Sequence, residues 1–134
     1  MLDKKLVMAI VVIFIVAMFF GGLVHGFVLH DDYAKLPIMR SESAQQHLFG
    51  FMILAHVIYA AGFCWIYARG KEARPWLGQG FRYGLAVATI TVIPSYMIYY
   101  VVMPYPSDVV AQQIVYDTIA TVILGIVVAW LYRK

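Results

Sequence analysis

Three ionisable side chains stand within long apolar stretches of the chain, where a charge is costly and a functional role is the first expectation. His25 lies near the end of the first stretch, His56 in the second and Asp117 in the fourth. Tyr96 adds a hydroxyl group in the third stretch. At 1.5 Å of rise per helical residue, His56 and Asp117 would lie about 12 Å from one end of a helix bundle. Tyr96 would lie about 10 Å and His25 about 6 Å from that end, so the four side chains are candidates for one cluster.

Histidine, aspartate and tyrosine at a similar depth can do several kinds of chemistry. Asp117 beside His56 would stabilise an imidazolium, or orient a neutral imidazole by accepting its N–H. One interpretation is a structural hydrogen-bond cluster that sets the register of the helices. The other is an outward-facing pocket for haem b, a metal ion, a quinone or a small hydrophobic ligand. For haem, His25 and His56 are the only pair of histidines inside the apolar stretches.

A separate metal hypothesis concerns the polar segment after the first apolar stretch. It contains His30, Asp31 and His47, whose nitrogen and oxygen atoms suit zinc or copper. Their spacing matches no strict metal motif, and solvated loop charges are the simpler interpretation. The single cysteine, Cys64, excludes a disulfide or a two-thiol centre within these residues. The sequence has neither a nucleophile elbow nor a phosphate loop, so we expect a protein that is not an enzyme.

The elements that must position these side chains are membrane-spanning helices. The 134 residues are 63% hydrophobic and 13% charged, against about 45–50% apolar and about 25% charged in soluble domains. Because a spanning helix needs about 20 mostly apolar residues, the sequence predicts four spans in a single transmembrane domain over 1–134. They lie at about 6–29, 48–68, 80–103 and 109–132. The predicted fold class is an all-α integral membrane four-helix bundle.

The positive charges predict how the bundle is oriented. Eight of the ten Lys and Arg residues lie at the termini, between the second and third spans or, for Arg82, just inside the third span, and only Lys35 and Arg40 lie on the other side. Because cytoplasmic loops carry the excess of Lys and Arg, we expect both termini to be cytoplasmic. The net charge of +3 is then a signal of membrane topology, and nucleic-acid binding has no support.

Small residues recur at helical spacing in three of the predicted spans, where they let a neighbouring backbone approach closely. They are Gly22 and Gly26 in the first span, Gly80, Gly84 and Ala88 in the third, and Thr121, Gly125 and Ala129 in the fourth. Packing within the chain is the first expectation, and association with protein partners or a second copy is the alternative. Pro94 is expected to distort the third span, because its ring removes a backbone hydrogen bond.

A set of short motifs runs through nearly the whole chain. They are His25-Gly26 with Leu29, then Tyr33, Leu36 and Arg40, Ile66-Tyr67 with Gly70, Gly80-Phe81-Arg82-Tyr83-Gly84, Pro94, and Gly125 with Leu131-Tyr132. Together they resemble a group of small, uncharacterised bacterial four-span membrane proteins. The resemblance implies a multi-pass protein of the bacterial inner membrane, and it implies no activity.

These observations leave three functional hypotheses. The first is an accessory or structural subunit of a larger inner-membrane assembly, or a homo-oligomer, in which lipid and other protein surround the bundle. The second is a module that binds a cofactor or ligand through the cluster of His25, His56, Tyr96 and Asp117. The third is a small proton-coupled transporter that uses the same cluster.

Overall fold

The computed structural model describes residues 3–134, and these contain helices and no strand. The elements in chain order are α1 Lys4–Gly21, a π-helix Gly22–Val28, α2 His30–Ala34, α3 Glu42–His47, α4 Phe49–Gly70, α5 Trp76–Ile90, α6 Val92–Val102 and α7 Ser107–Tyr132. The expected all-α fold class is confirmed.

Four stretches are long and apolar enough to cross a membrane, which confirms the predicted bundle of four spanning helices. They are Lys4–Val28, Phe49–Gly70, Trp76–Val102 and Ser107–Tyr132. The third span begins four residues earlier than the sequence pattern indicated. Its first turn contains Trp76 and Leu77 as well as Gly78 and Gln79, and it follows directly on Pro75, since proline is compatible with a helix start.

The bundle has two ends, which we name by what they carry. The terminal end holds the first and last described residues and the connection between α4 and α5. The loop end holds residues 29–48, with the short helices α2 and α3, and the turn between α6 and α7. His25, Tyr96 and Asp117 lie in the half of the bundle nearer the loop end.

Helices α5 and α7 approach each other closely through glycines. A Cβ atom on Gly80 would lie 2.6 Å from the carbonyl oxygen of Gly125, and one on Gly84 would lie 2.6 Å from the Cα atom of Val122. Neither contact is sterically possible, so both positions require glycine. The small-residue stripes of the third and fourth spans are therefore used within the chain. In the first span, a Cβ atom on Gly22 or Gly26 would meet nothing within 4 Å.

The terminal half of the bundle is closed by apolar and aromatic packing. Helix α1 packs on α4 through Leu6, Ala9, Ile13 and Ala17 against Ala60, Phe63, Cys64 and Tyr67. Tyr83 of α5 completes this core, and its hydroxyl donates a hydrogen bond to the carbonyl oxygen of Phe63 at 2.5 Å. This half of the molecule is a packed scaffold.

The third span is interrupted at Thr91, between α5 and α6. In a straight helix the ring of Pro94 would clash with the carbonyl group of Ile90, so the distortion expected from Pro94 falls just before it. The hydroxyl of Thr91 donates to the carbonyl oxygen of Val87 at 2.8 Å. Beyond the break, α6 continues along α7, and Tyr96 faces Asp117.

Candidate functional site

The π-helix Gly22–Val28 positions His25. At its end the N–H group of Leu29 bonds to the carbonyl oxygen of Val24, five residues earlier, which is the wide π-helical pattern. Such segments are rare and are frequent at functional sites. Here the wide turn holds the imidazole of His25 between α2 and α7.

Each ring nitrogen of His25 has a polar partner. Nε2 lies 3.1 Å and 3.0 Å from the two carboxylate oxygens of Asp117. Nδ1 lies 2.6 Å from the hydroxyl oxygen of Tyr33, and the two rings are nearly parallel, at 4°. The orientation of the imidazole is therefore set from both sides.

Tyr96 and Gln113 complete this hydrogen-bonded group at its two ends. The Tyr96 hydroxyl donates to Oδ2 of Asp117, and Nε2 of Gln113 donates to the Tyr33 hydroxyl at 3.0 Å. Gln113 is only 4% exposed, so packing holds its amide in place. We call these five residues, in bonding order Gln113, Tyr33, His25, Asp117 and Tyr96, the polar chain.

The hydrogen bonds of the polar chain converge on Asp117. Nε2 of Gln113 donates to the Tyr33 hydroxyl, whose oxygen lies 2.6 Å from Nδ1 of His25. Nε2 of His25 and the Tyr96 hydroxyl both reach the carboxyl oxygens of Asp117. The polar chain thus contains one carboxyl group, and its one basic group is the imidazole of His25.

Tyr33 lies outside the membrane-spanning segments, and its surroundings keep it protonated. Burial raises the pKa of its hydroxyl group to about 12. The hydrogen bond from Gln113 lowers that pKa, and the nearby charge of Asp117 raises it. The phenol is thus a stable hydrogen-bond donor to His25 at neutral pH.

His56 does not join the polar chain. Its Nδ1 atom lies 2.8 Å from the carbonyl oxygen of Met52, one turn earlier in α4. The predicted pairing of His56 with Asp117 is therefore wrong, and His25 is the partner of the carboxylate. The other ring nitrogen of His56 faces α1, since a Cβ atom on Gly21 would lie 3.4 Å from Nε2.

His56 and Asp117 both line a cavity of about 700 Å³. It lies between the first span, α4 and α7, and most of its wall is apolar. His25 and Asp117 line it, as do His56 and Tyr59. The residues predicted from the sequence as one cluster thus become a polar chain on one side of a cavity and a separate histidine in its wall.

Comparison with known families adds one finding. Residues 8–129 match the DUF1761 family, which is described as a protein of unknown function. This chain belongs to the DUF1761 family. The matched residues of this DUF1761 protein include the whole polar chain and every side chain that lines the cavity. No curated protein and no solved structure matches the sequence.

The donor sets expected for a metal or a haem are not assembled in this DUF1761 protein. Residues 3–134 contain no group of three or more His, Cys, Asp or Glu side chains that could hold a metal ion. His30, Asp31 and His47 are exposed and belong to no such group, and a metal site in this loop stays a prediction. Both ring nitrogens of His25 are engaged within the polar chain, so His25 and His56 do not fit as a pair of haem ligands.

Two members of the polar chain were missed from the sequence. Gln113 lies four residues before Asp117, one helical turn away on the same face of α7, and this spacing could have identified it. Tyr33 had no such signal, because it lies in a polar segment that the hydropathy pattern treats as a loop. Its position depends on the fold of residues 29–34 back toward the bundle.

Proposed function

We propose that this DUF1761 protein binds a small amphipathic organic molecule within the membrane. The observation that carries the proposal is the cavity of about 700 Å³ between the first span, α4 and α7. Sites for small molecules are typically about 300–1,000 Å³, mainly apolar, with a few convergent polar groups. This cavity has that size and that kind of lining.

The polar chain supports a binding role more than a purely structural one. A cluster that only set the register of the helices would be enclosed by packing, whereas the side chains of His25 and Asp117 are 32% and 20% exposed. A carboxylate offers about four lone-pair directions, and His25 and Tyr96 are the only donors that reach Asp117 from the described residues. Acceptor capacity therefore remains on the cavity side.

The proposal includes a location. Eight of the ten basic residues lie at the terminal end, which supports an orientation with both termini in the cytoplasm. The loop end and the cavity then belong to the outer half of the membrane. The motifs that resemble small bacterial four-span proteins support the bacterial inner membrane as the site of action.

The test is recovery of the bound molecule from gently solubilised protein by native mass spectrometry. Ala55 is exposed and lines the cavity, so Ala55→Phe should fill the space and abolish the bound mass. Ile58, one turn of α4 away and 63% exposed, is outside the cavity wall, so Ile58→Phe is the matched control. Equal retention of a ligand by both variants would refute the cavity as the binding site.

A second candidate is proton-coupled transport, favoured by the continuous hydrogen bonds from Gln113 to Tyr96. In that case Asp117→Asn should abolish proton-coupled flux in reconstituted vesicles, and unchanged flux would exclude the candidate. The role of an accessory subunit or a homo-oligomer stays a prediction. Of the three small-residue stripes that suggested association, those of the third and fourth spans pack within the chain. The native mass of the solubilised protein tests whether it associates with another protein or a second copy.

A further inference from the structure

We infer that the ligand of the cavity is an amphipathic amine whose ammonium group binds at Asp117. The inference rests on the proposed binding function and adds the chemical class of the headgroup. It follows from which atoms of the cavity wall can donate a hydrogen bond, which can only accept one, and where the charge lies.

The wall of the cavity contains a carboxyl group but no strongly basic side chain. Asp117 lines the cavity, and its side-chain partners are the imidazole of His25 and the hydroxyl of Tyr96. The described residues that line this cavity include no Lys or Arg. A carboxylate held away from water is costly unless a positive charge pairs with it. A cationic ligand would supply that charge.

The ring of His56 adds a second polar group to the wall. The carbonyl oxygen of Met52 can only accept, so Nδ1 of His56 carries the ring hydrogen that the 2.8 Å contact requires. In the neutral ring Nε2 is then an acceptor, and it lies in the cavity wall beside Gly21. A ligand group that meets this nitrogen must be a donor.

The wall has further polar groups. Nε2 of Gln45 donates to the carbonyl oxygen of Arg40 at 2.8 Å, which leaves its Oε1 atom as another acceptor. The hydroxyl groups of Tyr59 and Thr121 can donate as well as accept, and that of Thr121 already donates to the carbonyl oxygen of Asp117. A carboxylate or phosphate headgroup would face the carboxyl group of Asp117 and several acceptors, whereas an ammonium group brings three donors and a positive charge.

Apolar side chains make up most of the rest of the wall. Phe20, Phe49, Met52 and Leu124 are among the side chains that line it. They offer no hydrogen bonds and would contact a hydrocarbon chain. The wall therefore suits a molecule with a cationic head and an apolar body.

The experiment compares three photoreactive probes on the full-length protein in phosphatidylcholine nanodiscs. The probes share one diazirine-bearing alkyl chain and differ only in the headgroup, which is a primary amine, an alcohol or a carboxylate. Labelled peptides are mapped by mass spectrometry, with Ala55→Phe as the background. We expect the amine to label the cavity about tenfold more than the alcohol, as a charge-assisted hydrogen bond implies, and the carboxylate not to exceed background.

Two variants locate the headgroup. Asp117→Asn keeps the shape and removes the charge, and it should lower amine labelling to the level of the alcohol. Gly21→Ala places a methyl group 3.4 Å from Nε2 of His56 and should lower amine labelling without touching the polar chain. Gly62→Ala, where an added Cβ atom meets nothing within 4 Å, should leave labelling unchanged.

The outcomes separate this inference from the proposed function. Equal labelling by amine and alcohol, or a preference for the carboxylate, would overturn the amine assignment and leave ligand binding intact. Labelling by every probe at the Ala55→Phe background would refute the binding function itself. If Asp117→Asn does not fold, the comparison of headgroups on the unaltered protein still decides the matter.

Discussion

The two ends of this bundle treat polar groups in opposite ways. At the terminal end, Arg133 lies 4.1 Å from the ring centre of Trp130 and Arg69 lies 5.1 Å from that of Trp65, with all four side chains at the surface. Near the loop end, His25 and Asp117 lie inside the bundle and bond to each other. Exposed Arg and Trp side chains are usual where a span meets water. Polar groups within a bundle, by contrast, need hydrogen-bond partners.

The two halves also differ in packing. The terminal half is held together by the glycine contact of α5 with α7 and by the core between α1 and α4, and it contains a smaller cavity of about 380 Å³ beside Tyr67 and Tyr132. The loop half contains the cavity of about 700 Å³. The difference supports the proposed function. The terminal half holds the helices together, and the loop half contains the cavity and the carboxyl group at which we propose that a ligand binds.

The largest effect on stability is expected at the close contact of α5 with α7. Gly84→Ala would place a Cβ atom 2.6 Å from Cα of Val122 and should lower the free energy of unfolding by about 3 kcal/mol, the upper range for overpacking. Gly62→Ala has open space and should raise stability by up to about 1 kcal/mol, because alanine favours helix. Thermal unfolding in detergent measures both, and equal effects would contradict the close α5–α7 contact.

A matched pair of tyrosines compares the two halves directly. Tyr96→Phe removes a donor to an ionised carboxylate and should cost about 2 kcal/mol, whereas Tyr83→Phe removes a donor to a neutral carbonyl and should cost about 1 kcal/mol. Chemical denaturation of both variants tests this order. The reverse order would argue against an ionised Asp117.

A pH titration tests the loop end through Tyr33. Its pKa is raised from 10.0 to about 12 in the folded protein, so above pH 10 the unfolded chain loses this proton before the folded one does. Stability should therefore fall between about pH 10 and 12, and Tyr33→Phe should remove that part of the loss. Tyr99→Phe, at a residue that is 47% exposed, is the control. If both variants show the same pH profile, Tyr33 is not buried as described.

The smallest effect is expected at the surface of the terminal end. Arg74 and Glu72 form an ion pair at 2.6 Å, but their side chains are 62% and 61% exposed. Glu72→Gln should change stability by less than about 1 kcal/mol, because water screens such pairs. A larger loss in thermal unfolding would show that the terminal end depends on charge pairing as the loop end does.

The choice of partner within the cluster was beyond the sequence. His56 and Asp117 were expected to pair because they have equal depths, yet His25 bonds to Asp117 through the wide π turn, and Nδ1 of His56 bonds to its own helix. Hydropathy does not show how a spanning helix is rotated about its axis, because the helix carries apolar residues both toward lipid and toward the other helices. Gln113 could have been identified by its spacing from Asp117 on α7, whereas the position of Tyr33 depends on how residues 29–34 fold back toward the bundle.

The sequence by itself determined the features that depend on local properties of the chain. Span number and length follow from apolar residues in succession, and the depth of each polar residue follows from the constant rise of a helix. Only the tertiary structure decided which polar atoms meet, which helices touch and where the cavity lies. Those outcomes depend on contacts between distant segments, such as His25 against Asp117, which leave no periodic pattern along the chain. The spacing of Gly80 and Gly84 indicates a close approach, but only the structure shows that the partner is α7, with Gly84 against Val122.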